Sequence, residues 1–435
     1  MKVTTKERSV LRDLAGRVRE IAALEVQERK RQAIIALNGL RSKRPLVYCF
    51  PEGAWLECIP PETLQCTDPV LRGWETRLRM AIFTHEVLAD DQAIDPVFNV
   101  YLDGGFTGWG LETHIEVPDA DRRQVYYVHP YASLWLTSHS QLGAYHVDPP
   151  LKERGDLAKL KVPRLQINRE TSDLWLRAAG DILGDILTVR RRGCFWTIIG
   201  GVAASAMGLR GMENLWLDLY DDPPWVHALV KFLADAQHVQ LDALESGGYL
   251  TLNNEAEWIG TGGIGYTDEL PAGGFDPARV RLKDIWGGLQ AQDLVGISPE
   301  MFAEFFFPYM KPILERFGLS HFGCCEPLDG WLSTLMQVGN LRRVSISPWA
   351  NVGRCAEQLR GDYVFSYKPL PSPVTTPRVD EEAMRQTYKE SFRATKEHGC
   401  HVEIMMKDLH TIQHQPQRLR RWVEIARRAA GEVYG

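Results

Sequence analysis

The chain has 435 residues, of which 44% are hydrophobic and 24% charged, with a formal net charge of −6. That is enough apolar material for a large core, and α/β barrels of this length run as one unit. The acidic balance lacks the basic excess of a nucleic-acid binder, and no apolar run of about 18 residues offers a spanning helix. The start, Met1-Lys2-Val3-Thr4-Thr5-Lys6-Glu7-Arg8, lacks the apolar stretch of a secretory signal, so a soluble cytoplasmic protein is expected.

Residues 1–40 carry Val10, Leu11, Leu14, Val18, Ile21 and Leu24 near helical spacing, which predicts a helical extension docked on the body. The body is expected over 41–435. It opens on Pro45-Leu46-Val47-Tyr48-Cys49-Phe50-Pro51, an apolar run that reads as a first buried strand with Glu52 after its end. Residues 91–150 are rich in Gly, Pro and alternating aromatics and read as an insertion of hairpins and loops over one end of the fold, either a lid or a purely structural cap.

From residue 151 the texture is α/β. A helix is expected over 170–187 and a strand in Cys194-Phe195-Trp196-Thr197-Ile198-Ile199. Helices follow from about 212 and after Asp221-Asp222-Pro223-Pro224, then a strand over 248–252. Ser298-Pro299-Glu300 caps a helix reaching Phe307. Further strands are expected at 319–323, 343–347, 363–366 and 400–406, and a last helix over 416–430. Strands alternating with helices predict a parallel sheet, and seven or eight of them predict closure into a (β/α)8 barrel.

Active sites of such barrels lie past the strand ends. The residues there are Glu52, Glu255, Cys324, Cys325, Glu326, Trp349, Lys368, Lys407, Asp408 and His410. Glu255, Asp408 and His410 are candidate acid/base groups. Glu52, Trp349, Lys368 and Lys407 are candidate substrate contacts, with Tyr266 on the glycine-rich loop after residue 260. The eight cysteines follow no disulfide rhythm and are expected as free thiols, the adjacent pair Cys324-Cys325 standing apart. Cys324, Cys325, Glu326 and His410 offer thiolate, carboxylate and imidazole, the donors zinc takes. The plain alternative is a packed cysteine pair with His410 capping a loop.

Two stretches resemble the uroporphyrinogen decarboxylase superfamily. One runs from Gly200-Gly201-Val202-Ala203-Ala204 through Gly211-Met212-Glu213-Asn214-Leu215 to Asp221-Asp222-Pro223-Pro224-Trp225-Val226-His227. The other is Gly296-Ile297-Ser298-Pro299-Glu300-Met301-Phe302 with Phe307-Pro308-Tyr309-Met310-Lys311. The resemblance covers about half the chain and implies a (β/α)8 barrel, often a homodimer. True decarboxylases carry an arginine- and glycine-rich motif after the first strand, whereas this chain reads Cys49-Phe50-Pro51-Glu52-Gly53-Ala54-Trp55. The thiol-activating methyltransferases of the superfamily bind zinc through His-x-Cys and a later Cys. Here His321-Phe322-Gly323-Cys324-Cys325-Glu326 stands at the first place with altered spacing, and His410 stands in for the later Cys. The resemblance therefore implies methyl transfer between a small methylated substrate and a thiol or a corrinoid carried on a separate partner protein. A decarboxylase or lyase of a small carboxylated substrate and a non-catalytic ligand-binding barrel are the alternatives.

Overall fold

The computed structural model describes residues 3–112, 114–116, 146–193, 201–260 and 263–435. The expected strand over 194–199 and residues 117–145 of the expected lid lie outside the described residues. In chain order the strands are β1 (Leu46–Cys49), β2 (Val97–Tyr101), β3 (Gly104–Phe106), β4 (His114–Glu116), β5 (His146–Asp148) and β6 (Leu165–Ile167). They continue as β7 (Thr188–Arg192), β8 (Trp286–Leu289), β9 (Leu319–Phe322), β10 (Leu341–Ile346), β11 (Val364–Tyr367) and β12 (His401–Met406).

Six of them form one parallel sheet in the order β1-β12-β11-β10-β9-β8. A separate parallel pair joins β2 to β7, and two antiparallel pairs join β3 to β6 and β4 to β5. The architecture is mixed α/β. Among the described residues the ladders leave β1 and β8 as edges, so the hydrogen-bonded sheet itself does not close. Three expectations change. Residues 248–252 carry no ladder. β2, inside the expected insertion, is a parallel partner of β7 rather than part of a hairpin. β8 was not anticipated.

Period-two alternation sorts the sheet residues into two faces. Val47, Cys49, Phe322, Val344, Phe365, Val402 and Ile404 join the main apolar core. Met384 and Phe392 of helix Glu381–Glu397 and Leu419 and Trp422 of helix Gln417–Tyr434 join the same core. The opposite face carries Leu46, Tyr48, Val364 and Met405, packed on Ile264 and Tyr266. It also carries a stripe of buried polar side chains, since His321 is the register partner of Arg343, Ser345 of Ser366, and Ser366 of Glu403.

The expected N-terminal extension is two helices, Thr5–Ala22 and Glu25–Asn38. Leu11, Ala15, Val18 and Ile21 pack against Trp74, Leu78, Ile182 and Leu183. A capping box links Thr4 and Glu7, and the Glu7 carboxylate also accepts from Thr67 N (2.9 Å), Thr67 Oγ1 (3.0 Å) and Asp68 N (3.2 Å). These bonds, that from the Thr67 amide first, hold the buried Glu7 carboxyl down to about 2 from 4.5. A depressed carboxyl stabilises the fold above its unfolded value, and that contribution is lost as pH falls from about 4.5 toward 2. Glu7→Gln is therefore expected to cost roughly 1.5–3 kcal/mol at pH 7, the range for hydrogen bonds to a charged group. Urea titrations at several pH values should show the gap to the parent narrowing on the acid limb, whereas a constant gap would mean that the charge contributes nothing.

Candidate functional site

Because the sheet is parallel, every strand ends on the same edge, and the loops after β1, β9, β11 and β12 converge there. After β9 the chain turns at Gly323, whose φ of +99° suits glycine, and where an added Cβ would lie 2.7 Å from Leu328 Cδ1. The next residue, Cys324, is pinned through its backbone. Its N–H donates to Glu326 Oε2 (2.8 Å), and its carbonyl accepts from Ser345 Oγ (2.9 Å). Glu326 is fully buried, and its other oxygen accepts from Ala291 N at 2.7 Å.

The two thiols face each other, Cys324 Sγ lying 3.3 Å from Cys325 Sγ. Lys407, the residue after β12, donates to both sulfurs, at 3.3 Å to Cys324 and 3.6 Å to Cys325. Its ammonium also pairs with Asp408 at 3.2 Å, and Cys325 Sγ lies 3.6 Å from Asp408 Oδ2. The Asp408 N–H donates to Glu52 Oε2 at 2.5 Å. Asp408 and Glu52 both adopt left-handed backbone, φ +58° and +49°, so the site concentrates two non-glycine residues in a costly region. Glu57 anchors the loop after Asp408 by accepting from Thr411 Oγ1 (2.6 Å), Ile412 N (2.9 Å) and His414 N (2.8 Å).

This arrangement separates the two thiols chemically. The hydrogen bond from Cys325 and the Lys407 charge together outweigh burial and bring Cys324 down to about 7 from 9.0. Cys325 moves upward, because it is the donor in the pair and loses solvation. The pair thus holds one thiolate and one thiol near neutral pH. Burial works against the Lys407 charge, yet Cys324 and then Asp408 keep it protonated. Burial raises the Glu52 carboxyl to about 8, partly opposed by Lys407, so it carries a proton at pH 7.

Behind the thiols lies a second buried layer. Lys368 Nζ donates to Ser366 Oγ at 3.0 Å, and Ser366 Oγ donates to Glu403 Oε1 at 2.6 Å. Arg343 Nε lies 3.2 Å from the same oxygen. Burial lowers Lys368 to about 8, with Glu403 opposing. His321 is held neutral, its pKa brought down to about 3 by burial and then by Arg343 and Lys368. Arg343, Ser366 and Glu403 were not singled out from sequence. The available signal was a polar residue at every second position of an otherwise apolar strand.

The structure brings Glu52, Cys324, Cys325, Glu326, Lys368, Lys407 and Asp408 near one another. It does not gather the others. His410 is exposed beside Gly53, where an added Cβ would come within 3.5 Å of its Nδ1. Trp349 is 70% exposed. Tyr266 donates to Asp95 and accepts from Arg31 at 3.3 Å, on the side of the N-terminal helices. Glu255 is paired with Arg190 and Arg192. None of these four shares a hydrogen bond or ion pair with the thiol cluster among the described residues.

The expected zinc ligands do not fit a metal as placed. Both Glu326 oxygens are taken by backbone N–H groups, His410 is exposed, and an ammonium already sits against both sulfurs. Among the described residues no group of three His, Cys, Asp or Glu takes a metal-binding arrangement. No helix of the described residues is long and apolar enough to cross a membrane.

Fold and site together define a mixed α/β protein with a thiol–lysine–carboxylate cluster at the carboxyl edge of a parallel sheet. No protein-family model matches the chain, and no curated protein matches it. Among solved structures, a methyltransferase from Methanosarcina mazei aligns with 93% of this chain and 99% of its own at 12% identity, with a TM-score of 0.48.

Proposed function

We propose that this chain is a thiol-dependent methyltransferase built on a (β/α)8 barrel of the uroporphyrinogen-decarboxylase type. Closure is supported by the pairing of the last strand, β12, with the first, β1. It is also supported by bonds that bridge the gap between the sheet edges. Asp91 N donates to Val47 O of β1, and Leu102 N after β2 donates to Arg192 O of β7. Gly193 N after β7 donates to Thr251 Oγ1, and Asn253 bonds both the N–H and the carbonyl of Trp286 in β8.

The observation that carries the activity is Lys407 seated against both sulfurs of a vicinal cysteine pair. A lysine-stabilised thiolate is a nucleophile at neutral pH. In the proposed step the Cys324 sulfur attacks the methyl carbon of an O-, N- or S-methyl substrate. An S–C bond forms, the C–X bond breaks with its electron pair going to X, and protonated Glu52 supplies the proton X takes up. The methyl then passes to an external nucleophile, a thiol or a corrinoid on a separate protein, and the sulfur regains its pair. No step is routed through a metal.

The test is a panel of O-, N- and S-methylated small molecules with peptide mass mapping. One added methyl is expected on the peptide containing Cys324, absent in Cys324→Ser, and removed when reduced cobalamin or a small thiol is added. Turnover of a methyl donor that survives Cys324→Ser would remove the thiol step. Decarboxylation of a carboxylated substrate by that variant would establish the lyase alternative.

A further inference from the structure

Cys325 takes no part in the methyl step beyond the hydrogen bond it gives Cys324, yet it is placed for a reaction of its own. Its sulfur lies 3.3 Å from that of Cys324, and both are free thiols. A disulfide joins sulfurs about 2.05 Å apart, so a side-chain movement of about an ångström closes the pair. Lys407 Nζ faces both sulfurs, at 3.3 and 3.6 Å, and Cys325 Sγ faces Asp408 Oδ2 at 3.6 Å. The Asp408 side chain is 45% exposed and Cys325 is half-buried, which leaves the pair one side chain from solvent.

The other described cysteines differ from this pair. Burial pushes the thiols of Cys58, Cys66, Cys355 and Cys400 up to about 12 and that of Cys49 well above its ordinary value. Among the described residues Cys324 is therefore the sulfur ionised near neutral pH. Sequence adjacency also sets the character of a bond between the two. Neighbouring Cα atoms stand about 3.8 Å apart, closer than the roughly 4.4–6.8 Å of ordinary disulfides. The peptide inside the small ring is the one whose carbonyl accepts from Ser345 Oγ at 2.9 Å. Such a bond is strained, and strained disulfides are the readily reduced ones.

We infer that Cys324 and Cys325 form a reversible oxidation site for hydrogen peroxide, Cys324 being the attacking sulfur and Cys325 the resolving one. The Cys324 thiolate attacks one peroxide oxygen. An S–O bond forms, the O–O bond breaks, and the departing hydroxide takes a proton from solvent and leaves as water. Cys325 then gives its proton to Asp408, and its sulfur attacks that of Cys324. The S–S bond forms, the S–O bond breaks, and the departing hydroxide takes the proton and leaves as a second water. Peroxide gains two electrons and the pair loses two. Glutathione reverses the change. Its thiolate attacks the half-buried Cys325 sulfur, and Cys324 leaves with the bonding pair beside Lys407. A second glutathione displaces the first from Cys325, which takes up a proton as glutathione disulfide departs. The bond itself does not rest on the methyl-transfer reading. Its consequence does, since oxidation withdraws the sulfur that accepts the methyl.

The experiment treats the full chain with a small excess of hydrogen peroxide, no methyl donor being present, and maps peptide masses without reduction. The peptide holding both cysteines is expected to lose two hydrogens and to regain them with reduced glutathione. In Cys325→Ser no such bond can form, and Cys324 should give a sulfenic acid that dimedone traps at least about tenfold more than in the parent. In Cys324→Ser the Cys325 thiol should survive the same treatment. Circular dichroism reports that each variant is folded. An unoxidised pair in the parent, a bond to another cysteine or another chain, a bond that glutathione leaves intact, a folded Cys325→Ser with no oxidised Cys324, or oxidation of Cys325 in a folded Cys324→Ser would each overturn the proposal. Failure of methyl transfer with the bond still forming would remove only the methyl-transfer reading, and methyl transfer without the bond would remove only this one.

Discussion

In Cys325→Ala, alkylation of Cys324 by iodoacetamide at pH 7 is expected to slow by more than an order of magnitude, and its pH midpoint to move upward from about 7. The thiolate reacts and the thiol does not, so the rate follows the ionised fraction. That fraction is roughly one half at pH 7 for a pKa near 7 and roughly one hundredth for an ordinary thiol near 9. The hydrogen bond from Cys325 is the largest cause of the depression and Lys407 the next favourable one. Removing Cys325 should therefore move the midpoint further than Lys407→Met, for which a loss of roughly tenfold, one pKa unit, is expected. Lys407→Arg should keep most of the reactivity, because it keeps a positive charge beside the sulfurs. In the parent the rate should fall as pH drops through about 7, where the thiolate takes up its proton. Mass mapping identifies which cysteine is labelled. Identical midpoints in the parent and both variants would mean that the pair and the lysine do not act on one another.

What the sequence revealed about this site followed from local pattern, and what it hid followed from contacts between distant segments. The runs that became β1, β9, β11 and β12 are apolar and bounded by turn residues, so their ends, and with them Glu52, Cys324, Lys368 and Lys407, could be placed on one edge. β8 was hidden by Gly287 and Gly288, which weaken any strand signal. Their reason lies elsewhere in the chain. A Cβ at 287 would meet the Phe317 ring at 2.2 Å, and one at 288 the His321 ring at 2.0 Å. β7 reads Thr-Val-Arg-Arg-Arg, a solvated texture, but Arg190 and Arg192 are neutralised by Glu255 and Glu257 more than sixty residues on. The same pairing takes Glu255 out of the role expected for it. His410 was expected in the site because it follows β12 closely. Past the left-handed turn at Asp408 the chain packs on Gly53 and Ala54 with His410 exposed, and it is Lys407 that meets the cysteines.

The largest stability effect is expected at the Arg343–Glu403 pair. Both side chains are fully buried, with Nε and Oε1 3.2 Å apart and Nη2 and Oε2 3.3 Å apart. Arg343 Nη2 also donates to Asn38 Oδ1 at 2.5 Å, which ties the second N-terminal helix to β10, and its guanidinium lies 5.4 Å from the Trp286 ring centroid. Glu403 in turn leaves no room beside it, since a Cβ at Gly263 would fall 2.5 Å from its carboxylate. Arg343→Met keeps most of the volume and strands a buried carboxylate without its cation, which is expected to cost about 3–5 kcal/mol. Removing both charges is a different experiment, because two apolar side chains need no counter-ion. Arg343→Met combined with Glu403→Leu should recover a large part of the loss, leaving Ser366 and Lys368 to repair their own bonds. Urea denaturation of the four members of this cycle measures the coupling directly. A single variant within about 1 kcal/mol of the parent, or a double variant no better than the worse single, would mean that the pair is solvated rather than sealed in the interior.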